Sequence, residues 1–79
     1  MHWTFRQLEY FAAAAQHGSA TRAAGVLHVS QPSISKAIAE LEAMWGEQLF
    51  VRLPAKGLEL THAGAERHRQ VRRLLAQAA

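Results

Sequence analysis

The stretch VSQPSISKAIAELEAMWG, residues 29–46, decides the fold of this chain, because it predicts one helix with two contrasting faces. Ser30 is a favourable N-cap, and Pro32 falls in the first turn, where its missing N–H leaves no helical hydrogen bond unmade. Steps of 100° per residue gather the apolar side chains in one arc. That arc holds Ile34, Ala37, Ile38, Leu41 and Trp45. The side chains of the opposite arc are mostly short and nearly uncharged, and they are Gln31, Pro32, Ser35, Lys36 and Ala39.

Two shorter helices are predicted before this one. The first begins at Thr4, which can form a capping box with Gln7, and it ends near Gly18. Its apolar residues recur at helical spacing and are Leu8, Phe11, Ala12 and Ala15. The second begins after Ser19, and its stripe of mostly small residues is Ala20, Ala23, Ala24 and Leu27. A tight turn at His28 joins it to the helix of residues 30–45, which is the pattern of a helix-turn-helix.

Beyond Gly46 the sequence predicts a short hairpin and one long helix. Residues 49–53 form the first strand, residues 54–57 the turn and residues 58–60 the returning strand. Thr61 stands where the N-cap of a last helix belongs, and that helix is expected to run to Ala79.

The composition predicts one small soluble domain with a modest core. Hydrophobic residues make up 49% of the 79 residues, and alanine is used heavily, which favours closely packed short helices. The chain has no cysteine, which removes disulfide frameworks and thiolate metal sites and suits a reducing compartment. Neither a signal peptide nor an apolar run long enough to span a membrane is visible. We therefore expect a cytoplasmic protein with no membrane partner.

The net charge of +3 favours an anionic partner without locating it. Residues 1–60 hold five basic and five acidic groups, whereas residues 61–79 hold four arginines and only Glu66. The whole excess therefore lies in the last helix, and the direction in which each charge points matters more than the total.

The polar face of residues 30–39 suits the major groove of DNA, which admits one α-helix. Short side chains let the backbone approach the bases, and the helix N-terminus favours nearby phosphates. Gln31 can donate and accept at a base edge, Ser35 can bond either kind of group, and Lys36 can donate to guanine. Pro32 is a rigid apolar contact suited to a thymine methyl group. On periodicity alone an ordinary solvated face remains the alternative, but the uncharged first turn and the tight turn before it favour DNA.

Residues 6–64 resemble the N-terminal winged helix-turn-helix of LysR-type transcriptional regulators. The matching segments occur in the family's order and spacing, and they are RQLEYF, GSATRAA, LHVSQPSISKAI, LE, G, LFVR and LTHAG. The resemblance implies a mainly α fold, in which three helices and a short β-hairpin wing are followed by a long C-terminal linker helix. It divides the chain into a winged helix-turn-helix DNA-binding domain, residues 1–60, and a linker or dimerisation helix, residues 61–79.

The resemblance also implies which side chains meet double-stranded DNA. Base contacts in the major groove would come from Gln31, Pro32, Ser35 and Lys36. Phosphate contacts would come from Thr21, Arg22, Ser30 and Ser33. On the wing, Arg52 and Lys56 would lie at the DNA backbone or minor groove. Phosphate contacts would fix the register, and base contacts would select the sequence.

Simpler roles remain open for three of these cations. Arg22 could be an ordinary surface charge, and Arg52 could pair with Glu47 or Glu59. Lys56, at the tip of a turn, could serve solubility alone.

Two positions depart from the family's usual pattern. Ala20 stands where a bulky aromatic residue is frequent, and Trp45 stands where an aliphatic residue is usual. We therefore expect different core packing near the second helix. Neither residue lies on the face expected to read DNA.

The last helix carries an apolar stripe that is expected to lie beyond the reach of so small a core. The stripe consists of Val71, Leu74, Leu75 and Ala78. From the residues alone, the helix could fold back on its own domain or pair with a second chain. The resemblance implies antiparallel pairing in a homodimer that reads an inverted repeat, with a higher oligomer in a full-length protein. It also implies a small-molecule effector bound only by a further domain outside these residues.

The arginines of the last helix have two possible roles. They are either solvated charges or a source of long-range attraction to DNA, and they are Arg67, Arg69, Arg72 and Arg73.

Two rival functions fit the sequence less well. An enzyme would need a cluster of chemically active residues, but His62 and His68 lie about 240° apart on a helix, and His62 with Glu66 supplies only two metal ligands. We expect neither catalysis, nor a cofactor, nor a metal. The other rival is a winged-helix module that binds only proteins, which would have no use for polar readers such as Gln31 on the groove face.

Overall fold

A computed structural model describes residues 2–78 of the chain. The elements in chain order are α1 (Phe5–His17), α2 (Ala20–Leu27), α3 (Gln31–Trp45), β1 (Phe50–Leu53), β2 (Gly57–Leu60) and α4 (His62–Ala78). The two strands pair antiparallel, with Phe50 opposite Leu60. Three helices, a hairpin and a long last helix confirm the predicted winged fold. The predicted helix end at Ala79 lies outside the described residues.

The helix ends lie where short-range signals place them. Gln7 N–H donates to Thr4 Oγ1 over 3.1 Å and Thr4 N–H donates to Gln7 Oε1 over 2.7 Å, which confirms the capping box. The side chains of Ser19 and Ser30 cap α2 and α3 as predicted. Glycines in the left-handed conformation end α1 and α3 at Gly18 and Gly46.

The core lies where the first three helices meet the hairpin. Its fully buried large side chains are Phe11, Leu8, Ile34, Leu41 and Leu49. Phe11 makes edge-to-face contacts with Phe50 at 5.6 Å and with Trp45 at 6.3 Å between ring centroids. On α1 the fully buried alanine is Ala14, whereas the predicted Ala12 and Ala15 are only partly buried. The buried face of α1 therefore differs from the predicted stripe by these alanines, because α1 contacts three other helices, α2, α3 and α4.

α4 packs into the same core through residues near its start and its middle. Val71 is 4% exposed, so the expectation that the whole apolar stripe lies beyond the core is wrong at this position. Gly64 lets the helix approach the chain before β1, because a Cβ at this position would lie 2.0 Å from the Leu49 carbonyl oxygen. Thr61 N–H donates to the same oxygen over 3.0 Å. The division of the chain at residues 60 and 61 stays a prediction.

The hairpin is tied to the turn between α1 and α2. Leu58 N–H donates to the Gly18 carbonyl oxygen over 2.9 Å. Gly57 has a φ of 86°, and a Cβ there would lie 2.3 Å from that oxygen, so only glycine allows this approach. The wing consequently holds a defined position relative to the helix-turn-helix.

Candidate nucleic-acid interface

Serine hydroxyls organise the N-terminal end of α3. Ser30 Oγ accepts a hydrogen bond from Ser33 N–H over 3.2 Å, and the two hydroxyl oxygens lie 2.7 Å apart. Ser30 is exposed and Ser33 is half-buried. The two predicted phosphate contacts therefore lie side by side at the positive end of the helix dipole, where an anion is stabilised.

The outer face of α3 brings together the four predicted base-contact residues. Pro32 and Lys36 are exposed, and Gln31 and Ser35 are half-buried. The Gln31 amide nitrogen donates to Ser35 Oγ, one helical turn further on. This bond leaves the Gln31 amide its carbonyl oxygen and a second N–H, and it leaves Ser35 its hydroxyl proton. Both side chains thus keep groups with which to bond a base edge.

The two glutamates of α3 are held at its flanks. Glu40 Oε1 accepts from Gln7 Nε2 over 3.0 Å on the α1 side. Glu42 Oε2 accepts from Leu49 N–H over 2.8 Å on the hairpin side. At 100° per residue Glu42 falls between Gln31 and Ser35 in angle, but it lies about two turns further along the axis, and the first nine residues of α3, 31–39, carry no carboxylate. The first two turns of α3 can therefore approach a polyanion without like-charge repulsion from a carboxylate of their own.

The wing places Arg52 beside this face. Arg52 is exposed and lines a groove with Ser35 and Glu42. Within residues 2–78 it forms no ion pair with Glu47 or Glu59, so that alternative role is not seen. Lys56 is exposed in the hairpin turn, and its N–H donates to the Leu53 carbonyl over 3.2 Å.

The start of α2 presents the two other predicted phosphate contacts. Thr21 and Arg22 are both exposed in its first turn. The backbone N–H of Arg22 donates to Ser19 Oγ over 3.1 Å, and its guanidinium makes no ion pair with the described residues. The charge of Arg22 is therefore available to a ligand.

A further cation lies on the other flank of α3. Arg6, from the first turn of α1, is exposed and lines a groove with Ser33 and Lys36. The sequence pattern does not place Arg6 beside the outer face of α3, because only the packing of α1 against α3 brings it there. The one local signal is the Thr4 capping box, which fixes where α1 begins.

The predicted dimer residues of α4 are not equally accessible. Val71 lies in the chain's own core and is closed to a partner. Leu74 and Leu75 are half-buried against that core, and Ala78 is exposed. The surface that a second chain could bury is therefore narrower than the predicted stripe.

The four arginines of α4 also differ. Arg67 Nε donates to Glu47 Oε2 over 2.8 Å, and its guanidinium lies 4.6 Å from the ring centroid of Trp45. Arg69 pairs with Glu66 on its own helix. Arg72 and Arg73 are exposed and form no ion pair within residues 2–78.

His68 is half-buried beside Phe11. Its ring lies 6.0 Å from that of Phe11, edge to face. Burial lowers the pKa of His68, and the nearby charge of Arg72 lowers it further. Among the described residues, no three His, Cys, Asp or Glu side chains come together as a metal site. None of the helices within residues 2–78 combines the length and the apolar character needed to cross a bilayer.

Comparison with known proteins places this geometry in a family. The sequence matches the family described as "Bacterial regulatory helix-turn-helix protein, lysR family" over residues 5–65. It is 48% identical over 71 residues to the transcriptional regulator TfdS of Cupriavidus pinatubonensis, covering 90% of this chain and 24% of that protein. It is 50% identical over 66 residues to the RuBisCO operon transcriptional regulator of Allochromatium vinosum, covering 84% of this chain and 22% of that protein. The chain thus spans about a quarter of the length of these curated relatives.

Solved structures match the whole fold. The DNA-binding domain of CbnR in complex with DNA superposes with a TM-score of 0.89 at 45% identity, covering 95% of this chain and 85% of that one. The DNA-binding domain of BenM, in complex with catB site 1 DNA, superposes with a TM-score of 0.89 at 32% identity. The match covers 95% of this chain and 83% of that one. Full-length CbnR matches over 95% of this chain but only 26% of its own. The similarity therefore falls on the DNA-binding part of these proteins.

Proposed function

This chain belongs to the LysR family of bacterial helix-turn-helix regulators and is a DNA-binding domain of that family, and we propose that it reads specific duplex DNA sequences as a homodimer. The members of this family are transcriptional regulators and not enzymes, so we do not propose an enzymatic role. The proposed partner, duplex DNA, also makes the cytoplasm of a bacterium the proposed place of action.

The outer face of α3 is the observation on which the proposal depends. Its four proposed readers lie in the first two turns of α3, which carry no carboxylate, and the major groove accepts one helix of this kind. Gln31, Ser35 and Lys36 would bond base edges, and Pro32 would contact a thymine methyl group. Each good pairing of this type discriminates against the wrong base by about 1–3 kcal/mol.

Phosphate contacts would surround this face. Ser30 and Ser33 lie at the N-terminus of α3, and Thr21 and Arg22 lie at the start of α2. On the wing, Arg52 and Lys56 would meet the backbone or the minor groove. These contacts would hold the register of the protein on DNA but would not themselves select bases.

Two copies would pair through α4. We assign the contact to Leu74, Leu75 and Ala78, and we leave out Val71 because the core of its own chain buries it. Such a pair would present two α3 helices to half-sites about 34–36 Å apart, or a multiple of that distance, in an inverted repeat. A longer regulator would add an effector-binding domain and further oligomerisation.

Binding-site selection from random duplexes, followed by alanine variants, tests the proposal. Gln31→Ala and Ser35→Ala should each weaken binding to the selected site by about 1–3 kcal/mol and relax base preference there. Gln16→Ala, an exposed glutamine on α1, is the matched control and should leave affinity unchanged.

Salt titration distinguishes the proposal from the rival protein-interaction module. The logarithm of the association constant should fall linearly with the logarithm of salt concentration, because several phosphates are neutralised. A chain that selects no duplex sequence, or whose affinity ignores salt, would instead be a module for protein partners.

A further inference from the structure

Three side chains join the C-terminal end of α3 to α4, and we call Trp45, Glu47 and Arg67 the Arg67 bridge. The Arg67 guanidinium lies 4.6 Å from the Trp45 ring centroid, within the range of a cation–π contact. Its Nε donates to Glu47 Oε2 over 2.8 Å. One α4 side chain therefore holds both the last residue of α3 and the segment after it.

The α3 side of the bridge is itself anchored. Glu47 N–H donates to the Glu42 carbonyl over 3.2 Å, so Glu47 continues the hydrogen bonding of the helix end. The Trp45 ring packs edge to face against Phe11, which is fully buried. A change in the position of Arg67 should consequently change the position of α3, because both of its partners are fixed to that helix or to the core.

The bridge adds a constraint that the core does not supply alone. α3 and α4 each pack against α1, and Leu49 links them through its backbone, since its N–H donates to Glu42 and its carbonyl oxygen accepts from Thr61. A planar guanidinium that stacks on a ring and donates to a carboxylate fixes direction as well as distance. The chain departs from its family's usual aliphatic residue at Trp45, and that residue supplies the ring.

We propose that the Arg67 bridge sets the spacing between the two α3 helices of a DNA-bound dimer, so that Trp45, Glu47 and Arg67 are positioning residues. The inference rests on the proposed function, in which α4 joins the two chains. The 15 residues of α3 make a helix about 22 Å long. A tilt of about 5° at its bridged end moves the other end by about 2 Å, against a base-pair rise of about 3.4 Å. A small change of angle thus shifts the readers by more than half a base pair.

The test measures affinity for duplexes that carry two copies of the selected half-site, with the distance between their centres changed one base pair at a time. Wild-type chain should prefer one spacing. Arg67→Ala and Trp45→Leu should reduce the preference for that spacing over its neighbours by roughly fivefold, the ratio that a lost contact of this strength allows. Trp45→Phe keeps an aromatic face and should keep most of the preference.

Arg73→Ala is the matched control. It removes the same charge from the same helix, and Arg73 is exposed without an ion pair in the described chain. It should weaken binding about equally at every spacing and leave the preferred spacing unchanged. Affinity for a single isolated half-site should be the same for Arg67→Ala and Arg73→Ala, because neither residue reads bases.

The outcomes separate the two proposals. If wild-type chain selects no duplex, the proposed function fails. If it binds one spacing best and Arg67→Ala, measured below its melting temperature, shows the same profile as Arg73→Ala, the bridge does not set the spacing. A wild-type chain that binds all spacings alike also overturns the inference.

Discussion

Gly64 and Gly25 are both helical glycines, yet the structure predicts opposite effects when each is changed to alanine. A Cβ at Gly64 would lie 2.0 Å from the Leu49 carbonyl oxygen and 3.1 Å from a Leu60 methyl group. A Cβ at Gly25 would meet no atom within 4 Å. Helix propensity alone would make both changes favourable, so the comparison isolates packing from propensity.

The size of the Gly64→Ala effect follows from these distances. Ordinary contacts begin near 3.4 Å, so α4 must move away from Leu49 by more than 1 Å. That shift strains two hydrogen bonds, Thr61 N–H to Leu49 O at 3.0 Å and Thr61 Oγ1 to Gln48 O at 2.6 Å. Overpacking of about 1–3 kcal/mol and the loss of two bonds worth about 0.5–1.5 kcal/mol each, less a helix-propensity gain of about 1 kcal/mol, give a net loss of about 1–5 kcal/mol. Gly25→Ala should instead gain about 0.5–1 kcal/mol.

Thermal and urea unfolding followed by circular dichroism measures both variants. For a domain of this size, 1 kcal/mol corresponds to roughly 4–8 °C in Tm, so Gly64→Ala should melt roughly 4–40 °C lower and Gly25→Ala a few degrees higher. The total stability of such a domain is only about 4–12 kcal/mol. A Gly64→Ala chain as stable as wild type would refute the close packing of α4 on the segment before β1.

Three further predictions concern charge, assembly and binding. Because burial and Arg72 lower the pKa of His68, the folded chain binds fewer protons there than the unfolded chain. Stability should therefore fall as pH drops below about 6.5, and a His68→Gln chain should lose that part of the pH dependence of Tm. Leu74→Glu with Leu75→Glu should give monomers by analytical ultracentrifugation with weakened DNA binding; a persistent dimer would place the interface elsewhere. Arg22→Ala should reduce affinity for all duplexes by a similar factor and lower the salt slope by about one, whereas a sequence-dependent loss would make Arg22 a base reader.

Helix boundaries could be predicted from sequence because the groups that set them are chain neighbours. Thr4 bonds with Gln7, and Ser30 with Ser33, three residues apart in each case. Gly18 and Gly46 supply the left-handed conformation within their own residue. Such signals do not depend on the rest of the fold, so they are readable before it is known.

Contacts between distant segments were less predictable. The amphipathic pattern of α4 is the same whether its stripe meets its own core or a partner, so the pattern alone could not show that Val71 is buried. Arg67 and Glu47 are twenty residues apart, and only the folding of α4 back beside the end of α3 brings them together. The same holds for Arg6, which reaches Lys36 only through helix packing.

The residues on the outer face of α3 could be predicted from the sequence. Helical geometry alone gathers its four proposed readers on one side. The hydrogen bond between Gln31 and Ser35 follows an i, i+4 spacing and so could have been anticipated as well. Which bases these side chains bond stays a prediction, since it depends on how α3 lies in the groove.

The backbone bond from Leu58 to Gly18 has a consequence for the shape of the DNA that this chain accepts. It ties the backbone of the hairpin, which carries Arg52 and Lys56, to the turn that leads into α2. When a protein surface that cannot adjust contacts neighbouring grooves, the DNA must deform to fit it. Sequences that bend or narrow easily do so at lower free-energy cost. Base composition at positions that no side chain touches should therefore influence affinity as well.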